Sequence, residues 1–279
     1  MALTKPLGDR LADRLFGWLD RPGEMLAFYG RALVWIPRAI RRYFKEIQRL
    51  LAEVAFGSGG LSVIGGTVGV MVAMTVFTGV VVGIQGHAAL NQIGTAAFTG
   101  FVSAYFNTRE IAPLVAGLAL SATVGAGFTA QLGAMRINEE VDALEGMGIR
   151  SMPYLVTSRI VAGAVAIIPL YGIGLASSYL ASRMVTILVS GQSAGTYDHY
   201  FNLFLSPSDV VLSFLKVLIF SVLVILVHCY YGFHAQGGPA GVGVAVGRSV
   251  RNAIVLISVT DFFLSLAIWG ATTTVKVAG

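Results

Sequence analysis

The sequence predicts an all-α integral membrane protein with about five transmembrane helices. Hydrophobic residues make up 56% of the 279 residues and charged residues only 12%, and the mean hydropathy is +0.77. Soluble globular domains average about 25% charged residues, so most of this chain is expected to face lipid or neighbouring helices. The 34 glycines with only 8 prolines also favour closely packed membrane helices over disorder.

The N-terminal part of the chain is basic and amphipathic. Ten of the 19 Lys and Arg residues precede residue 50, and apolar residues such as Trp35 and Phe44 are interspersed with them. This pattern is typical of helices that lie on an anionic membrane surface. Residues 1–55 are therefore predicted to form interfacial helices on the cytoplasmic face, rather than to bind nucleic acid. A detached, solvated helix is the alternative.

Five apolar stretches are long enough to cross a bilayer, which requires about 20 residues per helix. They are residues 60–84, 111–134, 160–185, 210–231 and 253–274, and they define one predicted membrane domain over residues 56–279. Residues 87–108 contain Asn91 and Gln92 among short apolar runs. We predict a re-entrant or surface helix there instead of a sixth span.

The positions of the arginines predict the orientation, because cytoplasmic loops are enriched in Lys and Arg. Arg136 and Arg150 flank the segment between the second and third spans, and Arg248 and Arg251 lie between the fourth and fifth. The N-terminus is therefore expected in the cytoplasm and the C-terminus outside it. The loop 191–208 lacks Lys and Arg, which agrees with an external position.

Small residues recur every four positions in the second predicted span, and a shorter pair occurs in the first. Such stripes let another helix approach closely. The candidate packing residues are Gly117, Ser121, Gly125, Thr129 and Gly133 in the second span, and Gly65 and Gly69 in the first.

An acidic segment at residues 138–148 separates the second and third predicted spans. Asn138 is the predicted N-cap of a short helix, and Gly146 and Gly148 are expected to end it. The segment offers four acidic and three apolar side chains as candidate contacts for a cytoplasmic partner: Glu139, Glu140, Val141, Asp142, Leu144, Glu145 and Met147. A solvated linker helix is the alternative.

This segment and two further motifs resemble the MlaE/YrbE permease family of MCE-type lipid transporters. One motif is R-E-I-A-P, which contains Arg109, Glu110 and Pro113; the other is the long glycine-rich turn H-C-Y-Y-G-F-H-A-Q-G-G-P-A-G-V-G-V-A-V-G-R at residues 228–248. The resemblance extends from about residue 50 to the C-terminus. The loop that starts at Gly191 resembles actinobacterial YrbE proteins, and among them the B-type permease.

The resemblance implies a permease subunit in the cytoplasmic (inner) membrane that moves a hydrophobic lipid, such as a phospholipid, fatty acid, mycolic-type lipid or sterol. It also implies three kinds of partner: a second YrbE-type permease in a heterodimer, a cytoplasmic ABC ATPase dimer, and extracytoplasmic MCE proteins. Residues 138–148 correspond to the family's coupling helix. The chain has no G-x-x-x-x-G-K-[ST] motif, so ATP and Mg are expected on the separate ATPase and no cofactor on this chain.

Lys216 and Asp261 are charged residues inside predicted spans, where each charge costs at least ~2.5 kcal/mol on insertion scales. We predict that they form an ion pair between the fourth and fifth spans. In the alternative, Lys216 extends to the interface and Asp261 is hydrogen-bonded or protonated. Because charges inside spans often mark ion or proton paths, an ion- or proton-coupled secondary transporter is an alternative function. A structural membrane anchor for an MCE protein ring is a second alternative, since it would have the same spans.

The sequence predicts neither a catalytic centre nor a metal site. A membrane-embedded enzyme needs Ser, His, Asp, Glu or Cys side chains that converge at one depth, and no such cluster is visible. His87, His228 and His234 are expected at span edges in interfacial polar contacts. Asp198 and His199 are adjacent and are expected to be solvated loop residues rather than metal ligands.

Overall fold

The computed structural model describes residues 22–56 and 66–270. Within these ranges every regular element is a helix and no strand occurs. Three short helices come first: α1 over residues 22–34, α2 (Ile36–Arg42) and α3 (Phe44–Phe56). The prediction of an all-α fold is confirmed.

Five helices of the described ranges are long and apolar enough to cross a membrane. They are α4 (Thr67–Gln92), α5 (Ala96–Ile137), α7 (Met152–Leu188), α9 (Pro207–Phe233) and α10 (Gly238–Trp269). Two shorter helices lie between them, α6 (Glu140–Gly146) and α8 (Ala194–Phe204). The predicted number of spans is confirmed.

Two helices begin 15 residues earlier than predicted: α5 at Ala96 instead of residue 111, and α10 at Gly238 instead of residue 253. Residues 87–108, predicted as a re-entrant or surface helix rather than a sixth span, are divided between the end of α4 and the first part of α5. They form no sixth span, as predicted, but they are not a separate helix. Gly94 adopts a φ of +71° in the turn between α4 and α5, a conformation that glycine tolerates without strain. Asn91 and Gln92 are exposed beside this turn, which explains their polarity.

Wider π-helical turns interrupt two of the spans. In α5 they occur at Ser103–Ile111 and Ser121–Gly125, and α7 begins with one at Met152–Thr157. In such a turn the N–H of residue i+5 donates to the carbonyl of residue i. The side chains after the turn therefore lie on a different face of the helix than they would in a continuous α-helix. The four-residue spacing of small residues in α5 therefore does not mark a single straight stripe.

The small residues of α5 lie against α9 and α10. Gly117 packs beside Phe220 and Ile257, and the methyls of Val242 lie next to Gly133. Gly125 lies under the imidazole of His228, and a side chain at this position would overlap the ring.

Gly65 and Gly69 are the two glycines predicted to pack in the first span, and the structure describes only the second of them. Gly69 is half-buried in α4. Gly65 lies outside the described residues.

Helices α1 to α3 pack on the membrane-spanning bundle with one apolar face. Phe28, Ile47 and Leu50 are buried in the same core as residues of the spans. The hydroxyl of Thr157 on α7 donates a hydrogen bond to the Ala32 carbonyl over 2.9 Å. The basic side chains of these helices point away from that core.

Candidate functional site

Five charged side chains of α5, α9 and α10 meet inside the bundle, and we call them the charged cluster. They are Arg109, Glu110, Asp209, Lys216 and Asp261. Lys216 is fully buried, and its Nζ lies 2.7 Å from Asp261 Oδ1. The ion pair predicted from the sequence is therefore present, and it is part of a larger arrangement.

The Lys216 ammonium group joins three helices. It donates hydrogen bonds to the Arg109 carbonyl at 2.9 Å, to Ser265 Oγ at 2.7 Å and to Glu110 Oε2 at 3.2 Å. These bonds use all three N–H donors of the lysine, and Asp261 adds an ion-pair contact. Ser265 Oγ in turn donates to Glu110 Oε2 over 3.0 Å. Removal of this one side chain would leave polar groups of α5 and α10 without partners.

Pro113 explains why a backbone carbonyl is available to the lysine. In an α-helix the carbonyl of residue i accepts from the N–H of residue i+4, and proline has no N–H. At the end of the π-helical turn the Ala112 N–H donates to the Asn107 carbonyl, and where the α-helical pattern resumes, Pro113 has no N–H for the Arg109 carbonyl. That carbonyl accepts from Lys216. The R-E-I-A-P motif thus supplies a carboxylate, a guanidinium and a free carbonyl to the cluster.

Arg109 is held by a second set of contacts near the end of the bundle. Its Nε and Nη2 donate to Asp209 Oδ2 at 3.1 and 2.7 Å, and the indole of Trp269 donates to the other carboxylate oxygen at 2.9 Å. The guanidinium lies 4.1 Å from the ring centre of Tyr105, which favours a cation–π contact. The arginine is 6% and the aspartate 13% exposed, so this is a buried pair.

Sequence reasoning missed Asp209 and Trp269. Asp209 lies one residue before the predicted fourth span, in the first turn of α9, and so was not considered as an intramembrane partner. The signal that could have found it is Arg109 itself, because a buried arginine requires a carboxylate or other acceptors. The cluster contains two cations and three carboxylates, so it carries excess negative charge or holds one additional proton.

A second buried group, the histidine cluster, joins the opposite ends of the same three helices. It consists of Ser121, Thr129, His228 and Ser249, all fully buried. His228 Nε2 lies 3.0 Å from Ser121 Oγ and Nδ1 lies 2.8 Å from Thr129 Oγ1. Thr129 Oγ1 also lies 3.1 Å from Ser249 Oγ. A neutral imidazole, with one donor and one acceptor, matches two hydroxyl groups.

The histidine cluster corrects two predictions. His228 was expected in an interfacial contact at a span edge; it lies near the end of α9 but is completely buried. The sequence also showed no convergence of serine and histidine, yet Ser121 and His228 are in contact. Ser121 is buried by packing in a helix, so its hydroxyl has no open position for a substrate, and the contact supports helix packing rather than catalysis.

The other two histidines lie at span ends as predicted. His87 Nδ1 is 3.2 Å from Thr99 Oγ1 at the turn between α4 and α5, and His234 Nδ1 is 2.8 Å from the Tyr230 carbonyl at the end of α9. In the part of the chain that the structure describes, no three His, Cys, Asp or Glu side chains are placed to bind a metal ion.

The short helix α6 lies between α5 and α7, where the sequence placed the candidate coupling helix. Asn138 is not its N-cap: it ends α5, and Glu139, with a φ of +59°, precedes the first residue of α6. Arg136 of α5 contacts Asp142 over 2.7 Å. Ser151, just before α7, donates a hydrogen bond to Glu145. Helix α6 is therefore tied to both neighbouring spans.

The side chains of α6 do not all face outward. Val141 is fully buried and Leu144 is half-buried against the core. Met147 is 68% exposed, and Glu139 and Glu140 are exposed as well. The surface available to a partner is thus one methionine with carboxylates around it, rather than the three-residue apolar stripe that the sequence indicated.

The predicted loop 191–208 contains helix α8, which packs on α5. Asp198 accepts two hydrogen bonds of 2.7 Å from the guanidinium of Arg183. These hydrogen bonds hold the pKa of Asp198 below its ordinary value. His199 contacts the ring of Tyr200. Asp198 thus has a protein partner, whereas His199 is exposed as predicted. Both residues lie in a helix rather than in a loop.

One further buried charge links the N-terminal helices to the spans. Arg159 of α7 is 3% exposed and donates to the Leu155 carbonyl at 2.8 Å and to Gln131 Oε1 at 3.3 Å. The amide of Gln131 donates to Glu53 of α3. This chain of contacts fixes α3 against α5 and α7.

Comparisons with known proteins agree on one family. The family model described as Permease MlaE matches residues 58–267. A probable ABC transporter permease protein of Rickettsia bellii is 29% identical over 196 residues, 70% of this chain and 76% of that protein. The intermembrane phospholipid transport system permease protein MlaE of Haemophilus influenzae is 26% identical over 266 residues, 95% and 97% of the two chains.

A plant protein is similar to a comparable extent. The protein TRIGALACTOSYLDIACYLGLYCEROL 1, chloroplastic, of Arabidopsis thaliana is 29% identical over 203 residues, which are 71% of this chain and 57% of that protein. The matches therefore include chains from bacteria and from a chloroplast.

Proposed function

The chain belongs to the MlaE permease family, and from this premise we propose that it is the membrane-spanning subunit of an ATP-driven lipid transporter. The observation that carries the proposal is the extent of the family match, which includes all five spans and α6 except for the last residues of α10. Relatives are named as ABC transporter permeases, and one as part of a phospholipid transport system.

In this proposal α6 transmits the movement of a cytoplasmic ATPase dimer to the spans. The Arg136–Asp142 contact ties α6 to α5, and the contact between Glu145 and Ser151 ties it to α7. A force on α6 thus acts on both helices. Helix α5 also contributes Arg109 to the charged cluster, so its displacement changes the packing of α9 and α10 at the other end.

The finer assignments are proposals that extend the family membership. We propose a B-type YrbE permease that forms a heterodimer with a second YrbE-type permease, binds extracytoplasmic MCE proteins, and uses ATP and Mg held by the ATPase. The lipid is a phospholipid, fatty acid, mycolic-type lipid or sterol. Helix α6 and the N-terminus lie in the cytoplasm and α8 outside. Labelling of single cysteines at Asp142 or Asp198 in intact cells tests this topology, because native Cys229 is buried.

An exposed side chain at the end of α6 provides a direct test of docking. We expect Met147→Arg to reduce copurification of the ATPase severalfold, because Met147, the residue that follows α6, is an exposed apolar side chain. Ile93→Arg, at an exposed apolar position in the turn between α4 and α5, is the matched control. Equal recovery of the ATPase with both variants would contradict a docking role for α6.

The charged cluster supports a second candidate, a proton-coupled transporter, because three carboxylates face two cations there. The two functions are separated by reconstitution of the chain with its copurifying partners into vesicles that contain a fluorescent phospholipid. We expect transfer to require ATP and Mg and to persist when an ionophore dissipates the proton gradient. Transfer that follows an imposed proton gradient without ATP would establish the second candidate instead.

A further inference from the structure

Three arginines surround a small polar cavity beside α6. The cavity has a volume of about 110 Å³ and is lined by Arg38, Arg42, Tyr43, Gly148, Arg150 and Pro153. Two of the arginines come from α2, and the third follows α6 in the chain. The cavity thus lies between the N-terminal helices and the candidate coupling segment.

The arginines of this cavity have no carboxylate partner among residues 22–56 and 66–270. Arg38, Arg42 and Arg150 form no ion pair there, although Glu145 lies only a few residues before Arg150. Like charges at close range repel each other. Three guanidinium groups without a carboxylate partner in the described residues therefore favour a bound anion at this cavity.

The protein positions two of the three arginines, although all three side chains are exposed. The Arg38 and Arg150 guanidinium carbons lie 4.9 and 4.8 Å from the ring centre of Trp35. Gly148, just before Arg150 in the chain, adopts a φ of +76°. The contact with one indole ring thus joins α2 to the segment after α6.

The chemistry of the cavity suits a phosphate group. Guanidinium groups bind phosphate with two parallel hydrogen bonds, and arginine is the residue that such recognition favours. Basic pockets at the ends of membrane helices bind anionic lipid headgroups. The volume of about 110 Å³ is several times that of a water molecule, enough for one phosphate group but not for a bulky partner.

An apolar groove between α3 and α7 favours a lipid as the source of that phosphate. Leu51, Ala52 and Ala55 of α3 line it with Val165 and Ile168 of α7, and its volume is about 480 Å³. Eight positions separate Tyr43 of the cavity from Leu51 of the groove, roughly 12 Å along α3. An acyl chain that spans half the hydrocarbon core of a bilayer, about 15 Å, is long enough to cover that distance.

We propose that Arg38, Arg42 and Arg150 bind the phosphate of an anionic phospholipid of the membrane leaflet on the α6 side, with one acyl chain in the groove between α3 and α7. This lipid is a resident ligand that connects the N-terminal helices to the segment after α6. The proposal concerns binding alone and does not depend on which lipid the protein transports.

The test uses the full-length chain with the partners that copurify with it, reconstituted in nanodiscs of phosphatidylcholine with or without phosphatidylglycerol. Native mass spectrometry of the protein after its release from the nanodiscs measures how much phosphatidylglycerol the protein retains. We expect each of Arg38→Gln, Arg42→Gln and Arg150→Gln to lower phosphatidylglycerol retention about fivefold. This corresponds to the ~1 kcal/mol that one basic residue contributes to binding of an anionic lipid. Arg248→Gln removes an exposed arginine of α10 and is expected to change nothing.

Four outcomes would overturn the proposal. Unchanged retention in the triple variant would show that the arginines bind no lipid. Retention by Arg150→Lys equal to that of the native chain would indicate a diffuse positive surface, because lysine keeps the charge but not the planar fork. Saturable binding of inorganic phosphate in phosphatidylcholine nanodiscs, with no preference for phosphatidylglycerol, would assign the cavity to a free anion. Loss of a protein partner in the triple variant, with lipid retention unchanged, would assign it to protein docking.

Discussion

The charged cluster and the histidine cluster join the same three helices, α5, α9 and α10, at opposite ends and by different chemistry. The first brings together charged groups around Lys216, whereas the second pairs hydroxyl groups with an imidazole. Loss of one partner leaves an uncompensated charge in the first case and an unsatisfied neutral group in the second. The difference predicts that the charged end is the more sensitive to substitution.

The largest effect is expected for Lys216→Met. It removes the only ammonium group that contacts Asp261 and Glu110 within the described residues, and broken buried ion pairs cost about 3–5 kcal/mol. Thermal unfolding of the purified protein in detergent measures the loss. Lys45→Met, at an exposed position of α3, is the control for removal of a lysine.

A double-mutant cycle sharpens this first prediction. Asp261→Asn alone is expected to destabilise the protein because it leaves Lys216 with less compensation. The double variant with Lys216→Met should recover part of the loss, since neither charge then remains without its partner. Strictly additive losses would show that the pair is not coupled, despite the 2.7 Å separation of its atoms.

Arg109→Lys tests the geometry of the charged cluster at constant charge. Lysine cannot reproduce both hydrogen bonds to Asp209 or the stacking on Tyr105. We expect a loss of about 1–3 kcal/mol, smaller than that of Lys216→Met, in the same unfolding assay. Arg248→Lys on the exposed face of α10 is the control. Equal stability of Arg109→Lys and the native chain would mean that charge alone holds this end together.

Ser121→Ala tests the histidine cluster. It leaves His228 Nε2 without its hydroxyl partner, which costs about 1–3 kcal/mol for a buried neutral group. We expect the measured loss to fall at the low end of that range, because no charge is stranded. Ser258→Ala, on the exposed face of α10, should be neutral. A loss as large as that of Lys216→Met would contradict the proposed difference between the two ends.

The smallest effect is expected for the exposed ion pair between Arg183 and Asp198. Because the pKa of Asp198 is lowered in the folded protein, the pair contributes fully above the ordinary aspartate pKa and less as the pH falls through the folded-state pKa. Asp198→Asn should therefore lower the unfolding temperature slightly at neutral pH, and by less as the pH falls below about 4. A difference that grows as the pH falls would have the wrong sign for this pair.

The sequence predicted the charged end better than the neutral end, for a physical reason. Charged residues inside apolar spans are rare and costly, so Lys216 and Asp261 stand out and their pairing follows. Serine, threonine and histidine are tolerated in membrane helices, and nothing in the spacing of Ser121 and His228 shows that they meet. Their contact depends on the relative rotation of α5 and α9.

The details of α6 were predictable only in part. Its acidic composition and the glycines after it locate a short helix between two spans. The left-handed conformation of Glu139 and the burial of Val141 depend on how α5 ends, which composition does not determine. The basic cavity was missed for a similar reason, because Arg38 and Arg150 are 112 positions apart in the chain and are brought together by the fold.

The π-helical turns of α5 affect how its residues must be counted. A turn closed from residue i to residue i+5 holds one residue more than an α-helical turn. Deletion of one residue from Ser121–Gly125 would therefore shorten the wide turn to an ordinary one, whereas a deletion in an α-helical part of α5 would rotate all later side chains by about 100°. The parts of α5 before and after this turn keep separate registers, and it is at such a turn that a chain gains or loses a residue without losing its helix.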